Sequence, residues 1–254
     1  MVLSMDRWVG KVAVVTGASS GIGAAIADAL VEQGLIVLGV ARRSERIEQR
    51  AKQLSGKKGK LHAIKADLTK EEDILKIFKW SKENLGPVHI LVNNAGKTAS
   101  TNLTEGKTED WKSVFDLNVI ALSIATREAV KIMKENKING HIVHVNSVLG
   151  HQVLYPGLSM YPPSKFAVTA LTESLRQELN QQGLKIKITS VSPGLVESEL
   201  STLNPNLTPE RRAAMEQMPI LKSEDIADGI VYALSTPEHV QIHELTIKPL
   251  GEKV

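Results

Sequence analysis

Lys11-Val-Ala-Val-Val-Thr16 is a short, β-branched apolar run that passes directly into Gly17-Ala-Ser-Ser-Gly21-Ile-Gly23 and then into a helical pattern from Ala24 to Gln33, stopped by Gly34. A strand apolar on both sides belongs in a parallel sheet covered by helices on both faces. A glycine turn between such a strand and its helix lets backbone N–H groups approach a pyrophosphate at the helix N-terminus. Gly17 permits the turn, Gly21 the close approach and Gly23 the packing of helix on strand, while Thr16, Ser19 and Ser20 offer hydroxyls to the same phosphates. This unit predicts a dinucleotide site in an α/β sheet.

The second strand, Leu35 to Ala41, ends in Ala41-Arg42-Arg43-Ser44, with no acid before Glu45. An acid at that place would take the ribose 2′-hydroxyl of NAD(H). Arginines pair instead with a 2′-phosphate, so NADP(H) is expected and NAD(H) is the less favoured nucleotide. A helix over 46–54, a third strand over 61–65 and a helix entered through Asp67-Leu68-Thr69 follow. Asp67 is placed either to accept from an adenine amino group or to cap that helix. The fourth strand, Val88 to Asn93, runs into Asn94-Ala95-Gly96, two amides and a glycine beside the same crevice.

The second informative stretch runs from Ser147 to Lys165. Ser147 closes a strand-like run from His141, and a long helical pattern covers 166–182. Tyr161 and Lys165 are four residues apart, which on a helix puts them one above the other. A phenol ordinarily titrates near ~10. An ammonium beside it favours the phenolate, so such a tyrosine exchanges protons with an alcohol or a carbonyl, and a serine hydroxyl can hold the same oxygen. Pro162 and Pro163 lie between them; proline is tolerated only in a first helical turn, so the helix must start near Tyr161 or be distorted before it. Asn118 is a polar residue inside an apolar-flanked helix from Thr108 to Glu135; it faces solvent, competes for the backbone, or marks a local distortion.

Farther along, a sixth strand is expected over 184–191, closed by Ser192-Pro193-Gly194. An irregular, leucine-bearing segment of about 195–220 reads as a lid, Ser223 as the cap of a helix to Leu234, and 241–248 as the last strand. Val148, Leu149, His151, Leu154, Met160, Leu195, Leu200 and Met215 suggest an apolar substrate pocket. Alternation of strand and helix throughout gives one Rossmann-type doubly wound parallel sheet of about seven strands, a single domain over 1–254 with a short extension over 1–9.

Bulk properties exclude other classes. The 254 residues are 42% apolar and 23% charged, with a net charge of +3 and no long basic block, so nucleic acid is not an expected partner. There are no cysteines, and the seven histidines show no ligand spacing, so no metal is expected. No run approaches a membrane span and the first residues do not read as a signal peptide, so the expected location is cytoplasmic.

Taken in order, Thr16-Gly17-x-x-x-Gly21-x-Gly23, Asp67, Asn93-Asn94-Ala95-Gly96, Asn118, Ser147, Tyr161-x-x-x-Lys165 and Pro193-Gly194 resemble the short-chain dehydrogenase/reductase family over about 7–248. The resemblance implies Tyr161 as catalytic acid/base, Lys165 as its modulator and ribose ligand, Ser147 as holder of the substrate oxygen and Asn118 as part of a proton relay. It implies Gly17, Ser19, Ser20, Gly21, Ile22 and Gly23 at the pyrophosphate, and Arg42 and Arg43 at the 2′-phosphate. Asp67 and Leu68 would lie at the adenine, Asn93 on the adenosine side with Asn94, Ala95 and Gly96 beyond it, and Pro193, Gly194, Val196 and Ser198 at the nicotinamide. Asp6-Arg-Trp-Val-Gly, Leu122 to Glu128, Phe166 to Glu173 and Leu175 to Leu179 look like the insect farnesol dehydrogenase and cytosolic carbonyl/hydroxysteroid reductase branches. That likeness implies a hydrophobic alcohol or keto-lipid substrate and a homodimer or homotetramer. An NADPH-binding regulatory protein weakened by the double proline is the competing expectation.

Overall fold

A computed structural model describes residues 3–99, 101–154, 158–199 and 218–252. Among these, seven strands form one parallel sheet in the order β3-β2-β1-β4-β5-β6-β7. The strands are β1 (Val12–Thr16), β2 (Ile36–Ala41), β3 (Lys60–Lys65), β4 (Val88–Asn93), β5 (His141–Val145), β6 (Lys187–Pro193) and β7 (Glu244–Ile247). The helices between them are α1 (Gly21–Glu32), α2 (Ser44–Gln53), α3 (Glu71–Asn84), α4 (Thr108–Phe115), α5 (Leu122–Glu135), α6 (Tyr161–Gln181) and α7 (Ser223–Ser235). This is the Rossmann-like α/β architecture expected from the alternating pattern.

Strand β1 shows why its sequence is apolar without interruption. Ala13 and Val15 face a cluster with Ile26 and Leu30 of α1 and Ile226, Ile230 and Leu234 of α7. Val12 and Val14 face the opposite cluster, with Ile74, Ile77 and Phe78 of α3 and Ala125, Ala129 and Met133 of α5. Both faces are dry, and each fully buried Ile or Leu there contributes about 1.5–3 kcal/mol relative to exposure. Val12 pairs in register with Ile36 of β2 on one side and with Val88 of β4 on the other. The chain order reverses between β1 and β4, and a crevice opens there beyond the carboxyl ends of the strands.

Three local expectations are corrected. The sixth strand starts at Lys187 rather than Leu184, because Gly183 adopts a left-handed φ of 67° and Leu184 N–H bonds back to Leu179 O at 2.9 Å, extending the α6 terminus. The last strand is shorter than 241–248, covering Glu244–Ile247. Ser223 is not a cap; its Oγ donates to Glu197 O, and Asp225 reaches back to the Lys222 N–H at 2.7 Å. In the short extension over 1–9, a 3-10 turn at Asp6–Trp8 buries Trp8 and sends both Arg7 Nη2 and Trp8 Nε1 to Leu234 O. No helix among the described residues is long and apolar enough to cross a membrane.

Candidate active site

The crevice between β1 and β4 is a cleft of about 610 Å³. Its lining runs from Gly17, Ser19, Ser20, Gly21, Ile22 and Gly23 through Arg42 and Arg43, Asp67 and Leu68, and Asn94, Ala95 and Gly96 to Tyr161, Lys165 and Ser198. The sequence expectations for the glycine turn, the β2 end, the β3 end and the β4 end therefore meet in one place. Asn94 and Thr16 hold the two strand ends together: Asn94 Nδ2 donates to Thr16 O at 2.9 Å, and Thr16 Oγ1 accepts the N–H groups of Asn94 and Ala95, each at 3.0 Å. Thr16 Oγ1 donates in turn to Val92 O at 3.3 Å, so its hydroxyl is engaged in this strand-end junction rather than held free for phosphate.

The glycine turn fits a dinucleotide pyrophosphate. A Cβ on Gly23 would lie 2.3 Å from Gly17 O and from Asn94 Nδ2, so only glycine lets α1 seat this deeply. Ser20, the N-cap of α1, makes no side-chain capping bond, which leaves the first N–H groups of the helix available to an anion. Asp67 is not a helix cap. Its Oδ1 accepts the Thr69 N–H at 3.1 Å and the Thr69 hydroxyl at 2.8 Å, holding the carboxyl below its usual range, while α3 begins at Glu71.

At the other end of the cleft, β5 stops at Val145 and Ser147 begins a 3-10 turn over Val148–Gly150, with Ser147 Oγ accepting the Leu149 N–H at 3.1 Å. Helix α6 begins at Tyr161, with both prolines in its first turn, so Tyr161 and Lys165 do lie one turn apart. Lys165 Nζ stands 5.7 Å from the Tyr161 ring centroid and donates to Val145 O at 2.8 Å. Tyr161 opens partly onto the cleft, yet protein surrounds it closely enough that burial pushes its phenol up to about 12, against a lowering hydrogen bond from Ser147. Burial likewise pushes Lys165 down to about 8. Loss of solvent thus outweighs the lowering contact from Ser147, and the net lowering expected from the lysine's spacing is not what is found.

Asn118 lies in a π-helical segment, Asp116–Ala121, joining α4 to α5. Among the three options its sequence context left open, the local distortion is the one observed, and the side chain is buried. Its Oδ1 accepts from Lys97 N at 2.9 Å, and its Nδ2 donates to Lys97 O at 2.9 Å and to Ser164 Oγ at 3.0 Å.

Other expected residues fall outside the cleft lining, Asn118 and Ser147 among them, Ser147 reaching the site through its hydrogen bond to Tyr161. Asn93 turns away from it and donates to Thr126 Oγ1 at 2.9 Å. Pro193 ends β6 in register with Ile247, Gly194 N–H bonds Ile247 O at 2.8 Å, and Val196 is buried in a bridge with Leu221; all three face the last strand or its connection. Leu149, His151, Leu154, Met160 and Leu195 do not line the cleft either; His151 Nε2 is engaged with Ser192 Oγ at 2.9 Å. Leu200, Met215 and most of the 195–220 segment lie outside the described residues. Lining residues that sequence reasoning passed over are Ala66, Lys97, Ser113, Leu117, Val145, Asn146 and Glu199, none of which carries a motif.

A glycine cradle at the sheet's switch point, with a serine, a tyrosine and a lysine gathered at its far end, defines a nucleotide-dependent oxidoreductase of the Rossmann type. The chain belongs to the short-chain dehydrogenase family, whose model matches residues 11–206. It is 49% identical over 252 residues to "Farnesol dehydrogenase" of Aedes aegypti, covering 98% of this chain and 100% of that one. It is 46% identical over 250 residues to the human "Dehydrogenase/reductase SDR family member 11", covering 96% of each. Among solved structures, an alcohol dehydrogenase from the archaeon Thermococcus sibiricus complexed with 5-hydroxy-NADP superposes with a TM-score of 0.84 at 25% identity, covering 96% of this chain and 98% of that one.

Proposed function

We propose that the protein is an NADP(H)-dependent alcohol dehydrogenase or carbonyl reductase that interconverts a hydrophobic secondary or allylic alcohol, a terpenoid alcohol such as farnesol, and its aldehyde or ketone. The observation that carries this reading is the pairing of Tyr161 and Lys165 one helical turn apart at the end of a cleft that starts in a glycine turn, with Ser147 hydrogen-bonded to Tyr161. The likeness to the Aedes aegypti enzyme over nearly the whole of both chains supports the substrate class. Arg42 and Arg43 at the β2 end, together with the NADP derivative named for the archaeal alcohol dehydrogenase, support the phosphorylated nucleotide.

Bound with its nicotinamide beside Tyr161, the nucleotide would accept a hydride from the carbinol carbon or deliver one to a carbonyl. The chain's own residues supply the rest. Ser147 orients the substrate oxygen by hydrogen bond. Tyr161 takes the hydroxyl proton in oxidation and returns it in reduction. A phenol raised to about 12 is a ready donor at neutral pH. For oxidation, the Lys165 ammonium beside it is the group that favours the phenolate. Asn118 fixes the start of α6 through Ser164, and so the angle at which Tyr161 enters the cleft. The glycine turn and the α1 N-terminus bind the pyrophosphate, with Asp67 and Leu68 at the adenine.

We further propose a single catalytic domain working in the cytoplasm as a homodimer or homotetramer; exposed Ile120 and Phe166, at 51% and 42% of full exposure, support packing between copies through their helices. The test is the initial rate of cofactor reduction with farnesol, geraniol and a hydroxysteroid, each with NADP⁺ and NAD⁺, beside Tyr161→Phe. Turnover that prefers NADP⁺ and disappears in the variant supports the proposal. A Tyr161→Phe protein that turns over normally overturns the assignment of the acid/base, and activity confined to the hydroxysteroid moves the substrate class to keto-steroids.

A further inference from the structure

At the adenosine end of the cleft, a carboxylate from the far side of the sheet sits among three donors. Glu199 Oε2 accepts from Arg43 Nη2 at 2.5 Å and from Ser20 Oγ at 3.1 Å, and Glu199 Oε1 accepts from Arg46 Nη1 at 2.6 Å. Arg43 Nη2 also reaches Ser20 Oγ at 3.3 Å. Glu199 follows Ser198, and Ser20, Arg43 and Glu199 all line the cleft. Two guanidinium groups and a hydroxyl gathered on one oxyanion are the donor set that a phosphate monoester takes. Arg43 also stands two residues beyond the end of β2, where the substituent on the adenosine ribose is read.

We infer that Glu199 is a specificity-determining residue for the nucleotide, an internal carboxylate that occupies the Ser20–Arg43–Arg46 oxyanion site and competes there with a ribose 2′-phosphate. The inference rests on the reading of this cleft as the nucleotide site. The two arginines hold the Glu199 carboxyl well below its usual range, at about 2, so it stays charged at any working pH. A 2′-phosphate brings nearly two further negative charges to the same donors. It must displace Glu199 or be confined to Arg42, whose carboxylate neighbour is Asp67 rather than Glu199. A ribose 2′-hydroxyl is uncharged and leaves the ion pair intact. The side chains of Arg43, Arg46 and Glu199 are 42%, 44% and 35% exposed, so exchange of one oxyanion for another needs no rearrangement of the core.

The experiment is binding of 2′,5′-ADP and of 5′-AMP to the full-length wild type, Glu199→Gln and Glu199→Ala, by calorimetry at low and high salt. Both variants are expected to bind 2′,5′-ADP about threefold to tenfold more tightly than wild type, with 5′-AMP changed by less than about twofold. The gain should shrink in high salt. Equal changes for the two ligands, or weaker 2′,5′-ADP binding in the variants, overturn the inference, the latter by making Glu199 a clasp that closes over bound nucleotide. A wild type that favours 5′-AMP while Glu199→Gln still selectively tightens 2′,5′-ADP sustains the inference and refutes the NADP(H) assignment instead. A wild type that favours 2′,5′-ADP with no selective gain in the variants does the reverse.

Discussion

Asn118 and Ser164 are joined by a hydrogen bond of 3.0 Å that ties the π-helical segment before α5 to the first turn of α6. Ser164 Oγ in turn donates to Tyr161 O at 2.7 Å, so the tie reaches the residue assigned to proton transfer. Ser164→Ala leaves a buried amide hydrogen without a partner, which costs about 1–3 kcal/mol. Urea unfolding is expected to show that loss. Because the change loosens the placement of Tyr161 and Lys165, kcat should fall about tenfold or more while nucleotide affinity holds. An unchanged kcat in a destabilised protein would reduce this bond to a purely structural role.

The two prolines of α6 should be nearly silent in catalysis. Pro162 and Pro163 occupy the first turn, where an N–H has no partner within the helix, and the first four-residue bond runs from Ser164 N to Met160 O at 3.0 Å. Pro162→Ala and Pro163→Ala are expected to lower stability by no more than about 1 kcal/mol, mainly by freeing the unfolded chain, and to leave kcat within about twofold of wild type. Ser164→Pro, which removes that first bond, should abolish activity. Thermal melts and initial rates on the three variants decide it.

Two buried histidines make the fold sensitive to acid. His141 and His144 are both pushed down to about 3, first by burial and then by neighbouring cations, Lys187 and Arg7 for one and Lys165 for the other. Above the ordinary histidine value near ~6.5 neither contributes to the pH dependence. Below it the unfolded chain takes up protons that the folded chain refuses until about pH 3, so each residue removes about 1.4 kcal/mol of stability per pH unit in that window. His144→Gln loses the contacts to Thr126 and Thr172 and should be less stable at pH 7.5. Its deficit against wild type should then narrow as pH falls from 6 to 5, by about 1.4 kcal/mol in urea titrations. A constant deficit would show that His144 is not held neutral.

Gly23→Ala and Gly10→Ala separate steric from conformational demand. The first puts a methyl 2.3 Å from Gly17 O, whereas the second meets nothing within 4 Å and carries only the penalty of a φ of +73°. The expected result for Gly10→Ala is a loss of about 1–2 kcal/mol with nucleotide binding intact. Gly23→Ala should lose nucleotide binding altogether, followed by NADPH fluorescence, because α1 can no longer seat against the turn.

These contrasts also mark how far the sequence could be read. Strand β1, the glycine turn and the Tyr161–Lys165 spacing were legible because each follows from local periodicity or from a residue type that few backbones accept. The helix start at Tyr161 was one of the two alternatives that the prolines left open. What escaped depends on contacts distant in the chain. Thr16 looks like a phosphate ligand until β4 supplies Val92, Asn94 and Ala95 as its partners. Asn93 looks like its neighbour Asn94, but the alternation of a strand turns one to the cleft and the other toward Thr126. Glu199 is one of many glutamates until the sheet brings it to Arg43 and Arg46, which precede it by 156 and 153 residues.

The junction of Trp8 and Arg7 with Leu234 has a consequence for how the chain is made. Their common acceptor lies 226 and 227 residues downstream, so these two hydrogen bonds cannot form until α7 has left the ribosome. The Trp8 indole N–H therefore waits through 226 residues of synthesis for its acceptor. Closure of the fold is a late event that stitches its beginning to its last helix.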